Sequence, residues 1–403
     1  MNRRMFLLPL SLMLLLSLSC QEAARSRTDA KNAVATPALA RGPYVSKVTN
    51  DSAVIFFEMK PAQPSPNLLV RYASAGIVSE RQLGSEALKH EVQLTGLSAG
   101  FIYRYEIVAA SKGGAKRQTV LASGAFATPP DQPRQVRFVV YGDTRSQPEI
   151  HRQVAEAIAA EQPAFVVHTG DLVSDGRNLS EWPDQFFGPA AALLQTAAIF
   201  PANGNHEAKS PLFYRYFGLP ERKAWYSFTW GQAEVFVIDT EEKYEPDSEQ
   251  GQWLAGRLSA SKAAWKIAVT HVPGISGGNH GFNADVNKHL RPLYERYGVD
   301  VVFSGHDHIY ERTKPITGEG GEHAVTYVIT GGGGAPLYQI KQGPWSAAAC
   351  SCHHYVVVEA GTDALHLVAK DRDRQIIDTF TLRKNDPDIK KTGVAFNELK
   401  NQK

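Results

Sequence analysis

The sequence predicts a layered α/β core preceded by a small all-β unit, and three observations carry that reading. From residue 134 onward, apolar strand-like runs alternate with stretches of helical periodicity, the pattern of sheets covered by helices. Before it, residues 41–128 hold short runs rich in Val, Ile, Phe and Tyr, broken by Pro and Gly. The change of rhythm falls at Thr128-Pro129-Pro130-Asp131-Gln132-Pro133, a proline-rich linker.

The 403-residue chain is long enough for two domains and a targeting segment, and 43% apolar residues is ordinary for a globular protein. Lys and Arg are scattered and the formal net charge is +2. With no basic stripe, RNA-recognition motif or zinc-finger spacing, nucleic acid is not expected as a partner.

At the amino terminus, Arg3 and Arg4 precede an apolar run from Met5 to Leu18 and then Ser19-Cys20. A short basic region, a short apolar core and a small residue before the cut describe a secretory signal over 1–19. Leu16-Ser17-Leu18-Ser19-Cys20 resembles a permissive bacterial lipobox, with Ser17 where Leu is usual and Cys20 as the lipidated residue. Gln21 resembles the sorting residue of outer-membrane lipoproteins. The expectation is a cell-envelope lipoprotein facing the periplasm or the cell surface. Residues 20–40 are small and polar and read as a flexible tether. Only Cys350 and Cys352 remain, too few for a disulfide framework; they would close a small ring or stay as thiols.

In the all-β unit the strand candidates are Ser52 to Lys60, Leu68 to Ser74, His90 to Leu94 and Phe101 to Ala109. Leu97-Ser98-Ala99-Gly100-Phe101-Ile102-Tyr103 resembles the tyrosine corner of immunoglobulin-like sandwiches. Arg41-Gly42-Pro43-Tyr44-Val45 resembles the start of the fibronectin type III-like domain of purple acid phosphatases, here a spacer or lid. In the α/β part, the strands are Val136 to Tyr141, Ala164 to His168, Ala198 to Phe200, Ala233 to Ile238, Lys266 to Thr270 and Val299 to Phe303. Helices are expected at Glu149 to Glu161, Ser248 to Ala263 and Ala284 to Tyr297. Four later strands, Val325 to Thr330, Tyr355 to Glu359, Leu365 to Ala369 and Ile376 to Leu382, suggest a second, mixed sheet. The catalytic unit spans 134–384, and 385–403 reads as a frayed polar tail.

Five clusters stand where strands run out into loops: Tyr141-Gly142-Asp143-Thr144-Arg145, Thr169-Gly170-Asp171-Leu172-Val173, Asn203-Gly204-Asn205-His206-Glu207, Thr270-His271-Val272-Pro273 and Gly305-His306-Asp307-His308. Ligands collect at strand carboxyl ends in α/β proteins. Asp, Asn and neutral His are the donors that suit Mn, Fe and Zn. A Gly-Asp pair alone says little, whereas Gly-Asn-His and Gly-His-x-His each arise by chance only about a few hundredths of a time. Gly-Asn-His recurs at Gly278-Asn279-His280, inside a glycine-rich loop, so the ligand role goes to Asn205.

The order and context of these clusters resemble the calcineurin-like metallophosphoesterases, and Gly-His-Asp-His-Ile-Tyr-Glu-Arg resembles their purple acid phosphatase branch, over roughly 41–384. The resemblance implies a two-sheet αββα metallophosphoesterase sandwich behind the fibronectin-like domain, with two metal ions (Fe, Mn or Zn). Asp143 and His308 would hold the first, Asn205, His271 and His306 the second, and Asp171 both. His206 would meet the phosphoryl group, with His280 lining the substrate pocket. Either could protonate the leaving oxygen after attack by a metal-bridging hydroxide.

Two departures matter. Ser174 stands where purple acid phosphatases place a ferric-binding Tyr, and Arg145 where other members place a metal-binding His. The first site thus keeps three protein ligands, and weaker or more water-rich binding, without a purple ferric-tyrosinate band, is expected. Arg145 could grip the phosphate with its fork or form a salt bridge near the mouth. Asp239, at a strand end, could orient a ligand His. Phosphomonoester hydrolysis is the first expectation. Its rivals are a phosphodiesterase acting on nucleotides or phospholipid head groups and a silent surface-binding lipoprotein.

Overall fold

The computed structural model describes residues 38–61, 67–83, 87–110, 118–220, 223–318, 323–384 and 393–396. The expected signal peptide and all but the end of the expected tether lie outside them.

Seven strands make the first unit: β1 (Leu39–Ser46), β2 (Ser52–Met59), β3 (Asn67–Ser74), β4 (Ile77–Leu83), β5 (Lys89–Thr95), β6 (Ile102–Ala110) and β7 (Gln118–Ala127). They pair as a three-stranded sheet β1-β2-β5 and a four-stranded sheet β4-β3-β6-β7, all antiparallel. Strand β1 opens at Leu39, so the last two residues expected as tether already belong to a strand, Leu39 pairing with Met59. Alternation along β2 sends Ala53, Ile55, Phe57 and Met59 into the sandwich core. Val54 and Phe56 point the other way, into a core shared with the second unit. The tyrosine corner is present: the Ser98 N–H donates to the Tyr103 hydroxyl at 2.7 Å.

The sandwich sits on the flank and the strand amino ends of the second unit. Tyr44 Oη donates to the Tyr216 carbonyl at 2.8 Å, Ser46 Oγ to that of Ile199 at 3.0 Å, and the Ala125 N–H to that of Gln195 at 2.7 Å. The motif clusters lie at the opposite ends of the strands, a strand of six residues being about 20 Å long. That geometry is a spacer's; among the described residues no sandwich contact to the motif clusters supports the lid alternative.

In the second unit a six-stranded sheet has the order β10-β9-β8-β19-β20-β21, built from β8 (Val136–Tyr141), β9 (Phe165–His168), β10 (Ala198–Pro201), β19 (His354–Ala360), β20 (Ala364–Asp371) and β21 (Ile376–Arg383). A nine-stranded sheet faces it, ordered β11 (Tyr226–Trp230), β12 (Ala233–Val237), β13 (Trp265–Thr270), β14 (Val301–Ser304), β17 (Ala324–Thr330), β15 (Tyr310–Thr313) and β18 (Ser346–Cys350), with β16 (Ile316–Thr317) and β22 (Val394–Ala395) at its margin. Strands β8, β9 and β10 are mutually parallel, as are β12, β13, β14 and β17, so their carboxyl ends gather on one rim.

Strands buried on both faces read as unbroken apolar runs, and these do. Phe138 and Val140 face the core between the sheets, meeting Val235, Ile267, Val301 and Phe303. Val139 and Tyr141 face outward under the helix Pro148–Ala160, and Val302 under Glu249–Ala260 and Arg291–Tyr297. The result is the expected αββα stack.

Three expectations are corrected. The four later strands do not form a sheet of their own: β17 joins the second sheet, and β19, β20 and β21 extend the first. The helix expected over 284–297 is two, Ala284–His289 and Arg291–Tyr297, broken at Leu290 just before Pro292. The tail is not wholly frayed either. Val394–Ala395 pairs with Ile316–Thr317, and Phe396 is buried with the Arg291 guanidinium 3.6 Å from its ring centre.

Candidate metal centre

The rim is built from tight turns. Asp143, Asp171 and His306 follow β8, β9 and β14 with φ of 58°, 58° and 68°, left-handed conformations that cost roughly 1–2 kcal/mol each. Such strain gathers at functional sites. Gly170, at φ 101°, is obligatory: a Cβ there would sit 2.7 Å from His271 Nδ1. Gly331 likewise leaves no room for a side chain between itself and Asp307 O and Asp143, as a glycine-rich turn approaching the site requires.

The structure brings Asp171, Asn205, His271 and His306 together. His271 Nε2 lies 3.0 Å from Asn205 Oδ1, 3.3 Å from Asp171 Oδ1 and 3.2 Å from His306 Nδ1. Its other nitrogen, Nδ1, donates to the Thr169 carbonyl at 2.9 Å, so Nε2 carries a lone pair. Lone pairs crowded this closely repel unless a cation lies among them. Separations near 3.3 Å are what bonds of about 2.0–2.1 Å make in a tetrahedron. Asp143, Asp171 and His271, all buried, offer donor atoms within 4.8 Å of one another. The donor set therefore fits a metal ion.

Asp143, beside Asp171, and His308 form a second group of donors. His308 Nε2 is 3.6 Å from Asp143 Oδ1, and His308 Nδ1 donates to the Pro336 carbonyl at 2.7 Å, which again leaves Nε2 as the ligating edge. The His306 N–H donates to Asp143 Oδ1 at 3.0 Å. His306 Nδ1 thus meets His271 while His308 Nε2 meets Asp143, although both residues lie in the turn after β14 and not in the strand.

Burial sets the charge states. It lowers His306 to about 3, helped by His271 and His280, and His308 to about 4. Both imidazoles are therefore neutral ligands at neutral pH. Burial, then the Asp171 charge, raises Asp143 well above the usual carboxylate range. Burial also pushes Asp171 up, but His271, His206 and Arg145 outweigh it and hold that carboxyl below its usual value.

The remaining expected residues ring this centre. The His206 N–H donates to Asp171 Oδ1 at 3.0 Å and its Nδ1 to the Ser174 carbonyl at 2.6 Å, which leaves Nε2 free, 3.9 Å from Asp171 Oδ2. His280 packs against His306 with the rings tilted and their centroids 3.7 Å apart, and meets Asp307 Oδ1 through Nδ1 at 3.0 Å. Arg145 Nε is 3.4 Å from Asp171 Oδ2, the salt bridge of its second reading. Asp239 does not orient a His; its carboxylate accepts from Asn203 Nδ2 at 3.2 Å, steadying the turn before Asn205. Cys350 and Cys352 form a disulfide.

Residues 136–310 match the family model "Calcineurin-like phosphoesterase". The chain carries a calcineurin-like phosphoesterase domain. "Probable inactive purple acid phosphatase 1" of Arabidopsis thaliana is 28% identical over 56% of this chain and 44% of the relative, so the chain spans about half of that relative's length. "Nucleotide pyrophosphatase/phosphodiesterase" of Hordeum vulgare is 26% identical over 56% of this chain and 73% of the relative. Among solved structures, purple acid phosphatase PPD1 of yellow lupin shares the fold with a TM-score of 0.72 at 21% identity, over 86% of this chain and 75% of that one.

Three residues around the centre had no role from sequence. Glu207 is fully buried and accepts the N–H groups of Gly204, Asp171 and Leu172 at 2.8–2.9 Å, pinning two of the metal-facing turns together. A charged residue directly after Asn205-His206 was its one signal. Asp307 is buried between the two rim histidines of its own motif and holds His280. Tyr338 stacks on His308 at 4.1 Å from a loop without any motif, and nothing in the sequence marks it.

Proposed function

We propose that the protein is a metal-dependent hydrolase of phosphomonoesters working in the cell envelope, with a dinuclear centre held by Asp143, Asp171, Asn205, His271, His306 and His308. One observation carries the reading: three acceptor atoms, from Asp171, Asn205 and His306, crowd to 3.0–3.3 Å around a fourth, His271 Nε2. When bound, two cations of the Mn, Fe or Zn kind supply Lewis-acid activation of the attacking water and neutralise charge on the phosphoryl oxygens.

The chain's own groups do the rest. Asp171, close to both His271 and Asp143, would contribute a carboxylate oxygen to each half of the centre. His206, fixed by Ser174 O and Asp171, presents Nε2 to the phosphoryl group. His280, held at Nδ1 by Asp307, presents Nε2 as the proton source for the leaving oxygen. Arg145 offers N–H groups to a phosphoryl oxygen from beside Asp171. The envelope location rests on Arg3, Arg4, the apolar run to Leu18 and Cys20; loss of membrane association in Cys20→Ala would support it.

The barley relative's name favours a second reading, a diesterase acting on nucleotides. Release of nitrophenol from p-nitrophenyl phosphate and from its bis-ester separates the two. The monoesterase reading expects faster turnover of the monoester, abolished by a chelator. Faster turnover of the bis-ester supports the second reading. Turnover of neither with Mn, Fe or Zn supplied contradicts both.

A further inference from the structure

The two halves of the centre are unequal, and Arg145 stands at the poorer one. The second half has four protein donors: Asp171 Oδ1, Asn205 Oδ1, His271 Nε2 and His306 Nδ1. The first has three: Asp143, the other oxygen of Asp171, and His308 Nε2. Its fourth corner is taken by Arg145, with Nε 3.4 Å from Asp171 Oδ2 and Nη2 3.4 Å from His308 Nε2. The guanidinium thus contacts two of the three donors that a first cation would use. Arg cannot be deprotonated at working pH, so it never becomes a ligand and always repels a neighbouring cation. Ser174 does not fill the gap: its hydroxyl is engaged with Gln185 Oε1 at 2.9 Å and Ser146 Oγ at 3.1 Å.

We propose that the centre works as one tightly held metal, at Asp171, Asn205, His271 and His306, beside a guanidinium that takes over much of the first metal's charge, leaving the first metal weak and exchangeable. This deepens the hydrolase reading and rests on it. Arg145 suits the task. Its side chain is 16% exposed, and its contacts to Asp171, His308 and Ser146 are all long at 3.4 Å. Shorter, charge-assisted bonds to a phosphoryl oxygen can replace them when substrate enters.

The test uses the full-length protein, stripped with a chelator and titrated with Mn²⁺ by equilibrium dialysis, with electron paramagnetic resonance on the same samples. The wild type is expected to show one tight equivalent with the spectrum of an isolated Mn²⁺ and a second equivalent roughly 10–100-fold weaker, the scale on which a lost metal-site partner acts. Arg145→His restores a fourth ligand and removes the charge. It is expected to tighten the second equivalent to near the first and to give the exchange-coupled spectrum of a pair. Arg145→Lys keeps a cation and adds no ligand, so it should leave the second equivalent weak, which separates ligation from general disturbance of the pocket. Two equivalents of equal affinity in the wild type, with ester hydrolysis intact, would overturn the asymmetry alone. So would Arg145→His leaving the second equivalent weak while the first stays tight. Binding of no equivalent, with no ester turned over, would overturn the hydrolase reading and this inference together.

Discussion

The amino-terminal sandwich and the carboxyl rim of the phosphoesterase sheets follow opposite rules of burial. Within the described part of 39–127, Ser46 is the one polar side chain in the buried set, beside Val45, Ile55, Val70, Ile107 and their apolar neighbours. The rim buries Asp143, Asp171, Glu207, Asp239, His271, Asp307 and Glu311 almost completely. Taking a charge out of water costs several kcal/mol unless partners compensate it. The sandwich avoids that cost and contributes shape; the rim accepts it and contributes chemistry. Conserving the shape of a side chain should therefore suffice in one region, while in the other each donor atom counts.

The largest effect should come from Asp171→Asn, which keeps the shape and removes the charge between the two halves of the centre. It should abolish ester turnover and metal retention while circular dichroism stays that of the wild type. Next comes Glu207→Ala, which strands the N–H groups of Gly204, Asp171 and Leu172 without an acceptor. At about 1–3 kcal/mol for each buried donor left unpaired, a loss of several kcal/mol is expected in urea unfolding. Turnover should fall with it, because the turns carrying Asp171 and Asn205 lose their common anchor.

Acid comes third. His151 and His354 are fully buried, lie outside the metal-facing set, and are lowered from 6.5 to about 4 by burial. The unfolded chain takes up their protons below 6.5 and the folded chain does not until about 4. Their contribution is thus whole above pH 6.5 and drains away as pH falls through that window, at about 1.4 kcal/mol per pH unit for each group. Urea midpoints between pH 7.5 and 4 should fall accordingly, and His151→Gln should flatten the dependence. The smallest effect belongs to the sandwich. Tyr103→Phe removes the acceptor of the Ser98 N–H and should cost about 1 kcal/mol in stability, with turnover unchanged. A loss of turnover there would break the division between the two regions.

Much of this was legible because the informative signals are local. Strand β8 was read to the residue, since an apolar run bounded by Gly142 carries its own limits. Every one of the expected metal-facing residues lies on the rim, because motif order along the chain fixes which strand end each occupies. What escaped depends on distant partners. Which sheet β17 or β19 joins is decided by pairing across the chain, with β14 and β8 respectively, and no periodicity records it. Strand β4 has hardly a buried residue and hence no alternation to detect. Tyr338 reaches His308 from a loop with no regular structure, and Phe396 finds its pocket from a mainly polar tail.

The most direct measurement is an anomalous difference map from crystals of the full chain grown with Mn²⁺. A peak is expected at the point shared by Asp171, Asn205, His271 and His306, about 2.0–2.3 Å from each donor atom. A map with no peak there, or with metal held by residues outside that set, would contradict the account.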